Sequence, residues 1–167
     1  MDTTTQKIMF SSDSDEYGTP RSFFDKLDRM FNFTLDPCSA DWNHKVQKHY
    51  TKEDDGLSKS WAGETAFVNP PYSDVAAWVR KAAEESRNED TTVVMLIPSR
   101  TDTKYWHDYI MREASCVYFV KGRLKFESDK KNTAPFPSAV VVFGNNVGVS
   151  QISAIMSKSK PMLPIER

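Results

Sequence analysis

Thr65-Ala66-Phe67-Val68-Asn69-Pro70-Pro71-Tyr72-Ser73 carries an apolar, strand-like stretch into a proline-stiffened turn and on into a helical pattern. Two consecutive prolines fix φ and keep the residues before them out of the α region, so the chain leaves the strand in an extended turn with outward-facing carbonyls. Such a turn presents acceptors to an amino group. The Asn69 side-chain oxygen and the Pro70 backbone carbonyl can both accept from one exocyclic NH₂, and the Tyr72 ring offers a face to a planar base. These are the needs of amino-group methylation on adenine.

Outward from this turn, Thr19 is placed to cap a helix with Pro20 at its first position, and Phe23, Phe24, Leu27, Met30 and Phe31 recur at helical spacing. Phe33 to Pro37 reads as a short buried strand ending at Asp36, and 39–50 as part loop, part helix. After the turn, Ser73 or Asp74 can cap a helix whose Val75, Ala76, Trp78, Val79 and Ala82 share an apolar side. Thr91 to Ile97 is a buried strand. Thr101 and Asp102 open a helix through Tyr105, Trp106, Tyr109 and Ile110, followed by strands at 116–120 and 138–143. Strands alternating with helices predict an α/β sheet. The last two, with no helical pattern between them, predict an antiparallel hairpin at its edge.

The 167 residues fit one domain, expected over 19–144. Residues 1–18 read as a mobile polar leader, and 145–167 as a tail with a short helix near 152–156. A net charge of -1 and a pI near 6.3 create no global attraction for nucleic acid, so DNA contact requires a local patch. Lys121, Arg123, Lys125, Lys130 and Lys131 crowd one segment around Phe126, a run that reads equally as a solvated loop. Cys38 and Cys116 have no framework spacing and no run approaches a membrane span, so the expected compartment is a reducing cytoplasm. Cys38, His44 and His49 lack a matching second ligand pair, so no metal is expected. The paired motifs of zinc deaminases and the phosphate-binding glycine loop are both missing.

Several segments beyond the turn carry a resemblance. Thr19-Pro20-Arg21-Ser22-Phe23-Phe24, Leu35-Asp36-Pro37-Cys38, Asp55-Gly56-Leu57, Asn69-Pro70-Pro71-Tyr72-Ser73, Pro98-Ser99-Arg100-Thr101-Asp102-Thr103 and Gly122-Arg123-Leu124-Lys125-Phe126 together resemble the phage-type DNA N6-adenine methyltransferases, from about Thr19 to Phe143. The resemblance implies a Rossmann-like methyltransferase fold, with a mostly parallel sheet, and S-adenosylmethionine as cofactor. It implies double-stranded DNA as partner. It assigns Asn69, Pro70, Pro71 and Tyr72 to catalysis. Thr19, Pro20, Asp36, Pro37, Cys38, Asp55 and Asn69 fall to the cofactor. Asp36 would meet its methionine part, Asp55 its adenine, and Thr19-Pro20 its carboxylate end. Ser73, Arg100, Arg123, Lys125 and Phe126 fall to the DNA.

Asp36 and Asp55, taken singly, would read as turn formers, and Phe126 and Phe136 as core or loop anchors. The segment after Asp36, Cys38-Ser39-Ala40-Asp41, departs from the glycine-rich turn usual in the wider methyltransferase group. The short distance from Asp36 to Asn69 implies a trimmed cofactor half. A methyltransferase of this architecture acting on RNA or a protein amide, and a binding module that has lost the cofactor, are the competing readings. Oligomeric state and target sequence are not legible.

Overall fold

The computed structural model describes residues 17–127, 134–145 and 147–157. Its strands are β1 (Thr65–Val68), β2 (Thr92–Pro98), β3 (Cys116–Phe119) and β4 (Ser138–Phe143), joined in one open sheet in the order β1-β2-β4-β3. The helices are α1 (Arg21–Phe31), α2 (Val75–Glu85), α3 (104–113, with a π-helical middle at Trp106–Ile110) and α4 (Val149–Met156). β1 and β2 pair in parallel, whereas β4 pairs antiparallel with both β2 and β3.

The expectation of a mostly parallel sheet therefore needs correction. β1, β2 and β3 share one direction, yet two of the three strand pairings are antiparallel because β4 inserts between β2 and β3. A parallel return after β3 would need a crossover element, and no helix is assigned among the described residues between β3 and β4. The antiparallel pair at the edge is present, with β3 outermost.

The sheet is buried on both faces, which explains the unbroken apolar runs in β2 and β4. Val93, Met95, Ile97, Ala139, Val141 and Phe143 pack on the side of α2 and α3, with Trp78, Val79, Ala82, Trp106 and Ile110. Val94, Leu96, Val140 and Val142 point the opposite way, toward Phe23, Phe24, Leu27 and Phe31 of α1 and Ile152 of α4. The period of two along each strand sorts these residues between the layers.

Several local expectations shift. Pro20, not Thr19, is the N-cap of α1, with φ -57° and ψ 133°; its carbonyl accepts from the amides of Phe23 and Phe24, each at 3.0 Å. Thr19 lies one residue before the cap, and its hydroxyl accepts from Asn69 Nδ2. The strand expected over 33–37 is reduced to parallel bridges at Leu35–Ala66 and Asp36–His49. Its backbone is split between β1 on one side and the 48–50 segment on the other. Asp74 is the N-cap of α2, without a side-chain capping hydrogen bond, and a 3₁₀ turn at Tyr72–Asp74 leads in. Ala76 is exposed and Ala83 buried. Thr101 and Asp102 form a turn ahead of α3, and β3 stops at Phe119. Lys130 and Lys131 lie outside the described residues. No helix among the described residues is long and apolar enough to cross a membrane.

Candidate active site

β1 and β2 run in parallel, so their carboxyl ends open on one edge of the sheet, the edge at which open α/β sheets collect ligands. Asn69 is the first residue beyond β1. Its Nδ2 donates to the Tyr17 carbonyl at 2.5 Å and to Thr19 Oγ1 at 2.9 Å. Both amide protons are thereby spent, and Oδ1 is left as the side chain's acceptor. Pro71 is extended, with φ -61° and ψ 136°, and its carbonyl accepts from Asp74 at 3.1 Å to start the turn into α2.

Asp36 is 4% exposed. Its backbone is pinned by Asp36 N to Lys48 O at 3.0 Å and Tyr50 N to Asp36 O at 2.9 Å, and Oδ2 accepts the Lys45 amide at 3.0 Å. Burial pushes its carboxyl up to about 6, against the pull of the Lys45 and Cys38 amides and the positive potential of His49 and His44. None of the ion pairs found among the described residues involves it. Asp36 is therefore a buried acid whose charged form is disfavoured by its surroundings.

Asp55 takes the left-handed conformation, φ 56°, and leads the turn Gly56–Ser58. A Cβ on Gly56 would lie 2.0 Å from the Pro37 carbonyl oxygen and 3.2 Å from Trp78 Cη2. Only glycine lets the loop after Asp55 press on the loop after Asp36. The glycine missing after Asp36 is thus supplied from the facing loop. The Trp61 indole donates to the Gly56 carbonyl at 3.0 Å and holds the contact.

These loops enclose a cavity of about 440 Å³. Thr19, Asp36, Pro37, Cys38, Asp55, Asn69, Pro70, Pro71 and Ser73 all line it, with Phe67 and Trp78 as apolar walls. Residues separated by more than fifty positions are brought together. Pro20 does not line it, being engaged as the helix cap. Tyr72 does not line it either: its ring sits in an adjoining aromatic cluster, stacked on Tyr17 at 4.9 Å and edge-on to Phe136 at 4.8 Å and Phe126 at 6.3 Å. Its hydroxyl is buried without a hydrogen-bond partner among the described residues, and burial pushes the phenol well above its ordinary range. Phe126 is buried in this cluster, whereas Arg100, Arg123 and Lys125 are exposed and lie outside the cavity lining.

A model of the family described as DNA N-6-adenine-methyltransferase (Dam) matches residues 6–162. The chain belongs to the Dam family. It is 34% identical over 142 residues to the DNA N-6-adenine-methyltransferase of Haemophilus phage HP1 (strain HP1c1), across 79% of this chain and 80% of that relative. It is 27% identical over 150 residues to the enzyme of the same name from Escherichia phage T1, spanning 80% of this chain and 60% of that relative's length. As a Dam-family member it is a methyltransferase whose acceptor is adenine N6 in DNA.

Sequence reasoning missed three contributors in this Dam-family site. Tyr17 belongs to the cavity wall and the aromatic cluster rather than to a mobile leader. Lys45 reaches Glu127 at 2.8 Å, and Glu127 also accepts the Arg21 amide at 3.1 Å, placing an anion at the start of α1. Gly56 stood inside a recognised motif, but its partner Pro37 was not visible. The aromatic at 17 before Gly18 and Thr19 was the one local signal available. His44 and His49 stack at 3.8 Å, with Asp41 at 2.9 Å from His49, and no group of three metal-binding side chains occurs among the described residues.

Proposed function

We propose that the chain transfers the methyl group of S-adenosylmethionine to N6 of an adenine flipped out of duplex DNA, within a Rossmann-like methyltransferase fold trimmed in its cofactor half. The observation that carries this reading is the Asn69 amide, whose two donors are tied to Tyr17 and Thr19 so that its oxygen serves as an acceptor beside the cavity.

The residues present fit S-adenosylmethionine. Asp36 offers a buried carboxylate to an ammonium group, the close approach of Gly56 to Pro37 leaves backbone at the wall, and Trp78 and Phe67 supply apolar surface. When bound, the cofactor supplies an electrophilic sulfonium methyl. Thr19, Asp36, Pro37, Cys38, Asp55 and Asn69 would hold it.

The protein's own task is to correct a poor nucleophile. The adenine amino lone pair is delocalised into the ring. Asn69 Oδ1 and the Pro70 carbonyl accept the two N6 hydrogens, favour a pyramidal nitrogen and aim its lone pair. Catalysis is then positioning and electrostatics, with no separate base needed before attack. A stacked base cannot reach the cavity, so it must leave the duplex, at about a few kcal/mol, offset in part by stacking on Tyr72. Ser73, Arg100, Arg123, Lys125 and Phe126 are the proposed DNA side of the site, the exposed cations contributing a salt-dependent hold on phosphates.

Transfer of labelled methyl from S-adenosylmethionine to unmethylated duplex DNA, followed by digestion to nucleosides, tests the proposal. Label should appear as N6-methyladenine. Label entering only RNA or protein offered in parallel would overturn it.

A further inference from the structure

Tyr17 stands against Tyr72 where a base is expected. Its ring lies 4.9 Å from the Tyr72 ring with 24° between their planes, and it meets Phe126 and Phe136 edge-on at 5.3 and 5.7 Å. The backbone carbonyl of the same residue takes the 2.5 Å hydrogen bond from Asn69. A target adenine needs these same surroundings: a ring face, aromatic edges and Asn69. Spacing decides whether both can be present. A base sandwiched between two rings holds them about 7 Å apart, twice the contact distance of carbon atoms, so the observed 4.9 Å admits none.

We propose that the Tyr17 ring occupies the target-base site of the DNA-free enzyme and that the flipped adenine enters by displacing it. The inference rests on the reading of Tyr72 as the residue that stacks on the base. The backbone at this point is anchored independently of the ring. Glu127 N donates to the Gly18 carbonyl at 2.7 Å, and the buried Thr19 holds Asn69. Tyr17 itself is only half-buried, so a rotation about χ1 takes its ring toward solvent while its carbonyl keeps hold of Asn69. The ring thus covers the apolar face of Tyr72 until DNA arrives. It also sets a threshold, because an incoming base must stack better than Tyr17 does, which favours a purine over thymine.

The test compares the affinities of Tyr17→Ala and Tyr17→Trp with that of the parent, using a duplex that carries the adenine the parent methylates and with S-adenosylhomocysteine present. Removing the competing ring should tighten binding by about three- to tenfold, the worth of one aromatic pair, and the larger indole should weaken it. Unchanged or weaker binding by Tyr17→Ala, with cofactor affinity intact, would overturn the proposal. A second measurement leaves the chain unmutated: with 3-fluorotyrosine incorporated, the fluorine resonance that Tyr17→Phe identifies should move on adding the target duplex and stay on adding a duplex without the target. A resonance that stays put with both would also overturn it. Tyr72→Ala methylating at the parent rate would instead sink the base-stacking reading, so the two failures remain separate.

Discussion

Thr19 Oγ1 lies 2.9 Å from Asn69 Nδ2, joining the segment ahead of α1 to the turn after β1 across fifty residues. Thr19 is buried, and Asn69 is half-buried at the cavity wall. Thr19→Val keeps the shape and removes the acceptor, leaving the Asn69 amide free to turn its oxygen away. We predict a fall in kcat of about tenfold, the usual worth of one buried hydrogen bond, with recovery in Thr19→Ser. Equal kcat in Thr19→Val and parent would refute the orienting role.

Asp36 is predicted to trade stability for binding. Its carboxyl is pushed from 3.8 in the unfolded chain up to about 6. The folded protein therefore holds the proton more tightly, and the stability this contributes is complete below pH 4 and lost as pH rises through 6. At pH 8 the buried charge costs the cofactor-free protein about 3 kcal/mol. Asp36→Asn should accordingly raise the melting temperature at pH 8 and not at pH 4. It should also weaken cofactor binding by about ten- to a hundredfold. A variant that melts below the parent at pH 8 would contradict the assignment.

Gly56→Ala places a methyl group 2.0 Å from the Pro37 carbonyl oxygen, a backbone atom that cannot step aside alone. The expected loss is about 1 to 3 kcal/mol in chemical denaturation, together with weaker cofactor binding as the two loops part. Gly63→Ala is a useful contrast: a Cβ there meets nothing within 4 Å, so its penalty comes from the positive φ of 76°.

The Tyr72 hydroxyl is buried and unpartnered among the described residues. Removing it takes away an unpaired polar atom and leaves the ring contacts in place. Tyr72→Phe should therefore melt no lower than the parent, and up to about 1 kcal/mol more stably. A clear loss of stability would mean that the hydroxyl has a partner in solution.

The elements that were legible in the sequence owe their form to local patterns. β2 and β4 are apolar because both faces of the sheet are covered, and the α2 stripe follows from 3.6-residue spacing. The Asn69 turn follows from its prolines, and nine of the residues assigned by motif line one cavity. What escaped depends on distant partners. Nothing near Ser138 states that β4 will insert between β2 and β3, and nothing near Gly56 names Pro37. Thr19 read as a cap because threonine favours caps, but Asn69 offered its hydroxyl a partner fifty residues away. Tyr17 looked like the end of a polar leader until the fold placed three aromatic rings around it.

Asn69→Ala separates turnover from cofactor binding, measured as methyl transfer to duplex DNA beside cofactor binding by calorimetry. The truncation removes the Oδ1 acceptor and leaves the Asp36 and Gly56 loops untouched. Turnover lowered by about a hundredfold or more, with cofactor affinity lowered by no more than about tenfold because Asn69 is one of six residues proposed to hold the cofactor, is the predicted result. Turnover near the parent rate would rule out Asn69 as the acceptor that activates the adenine amino group.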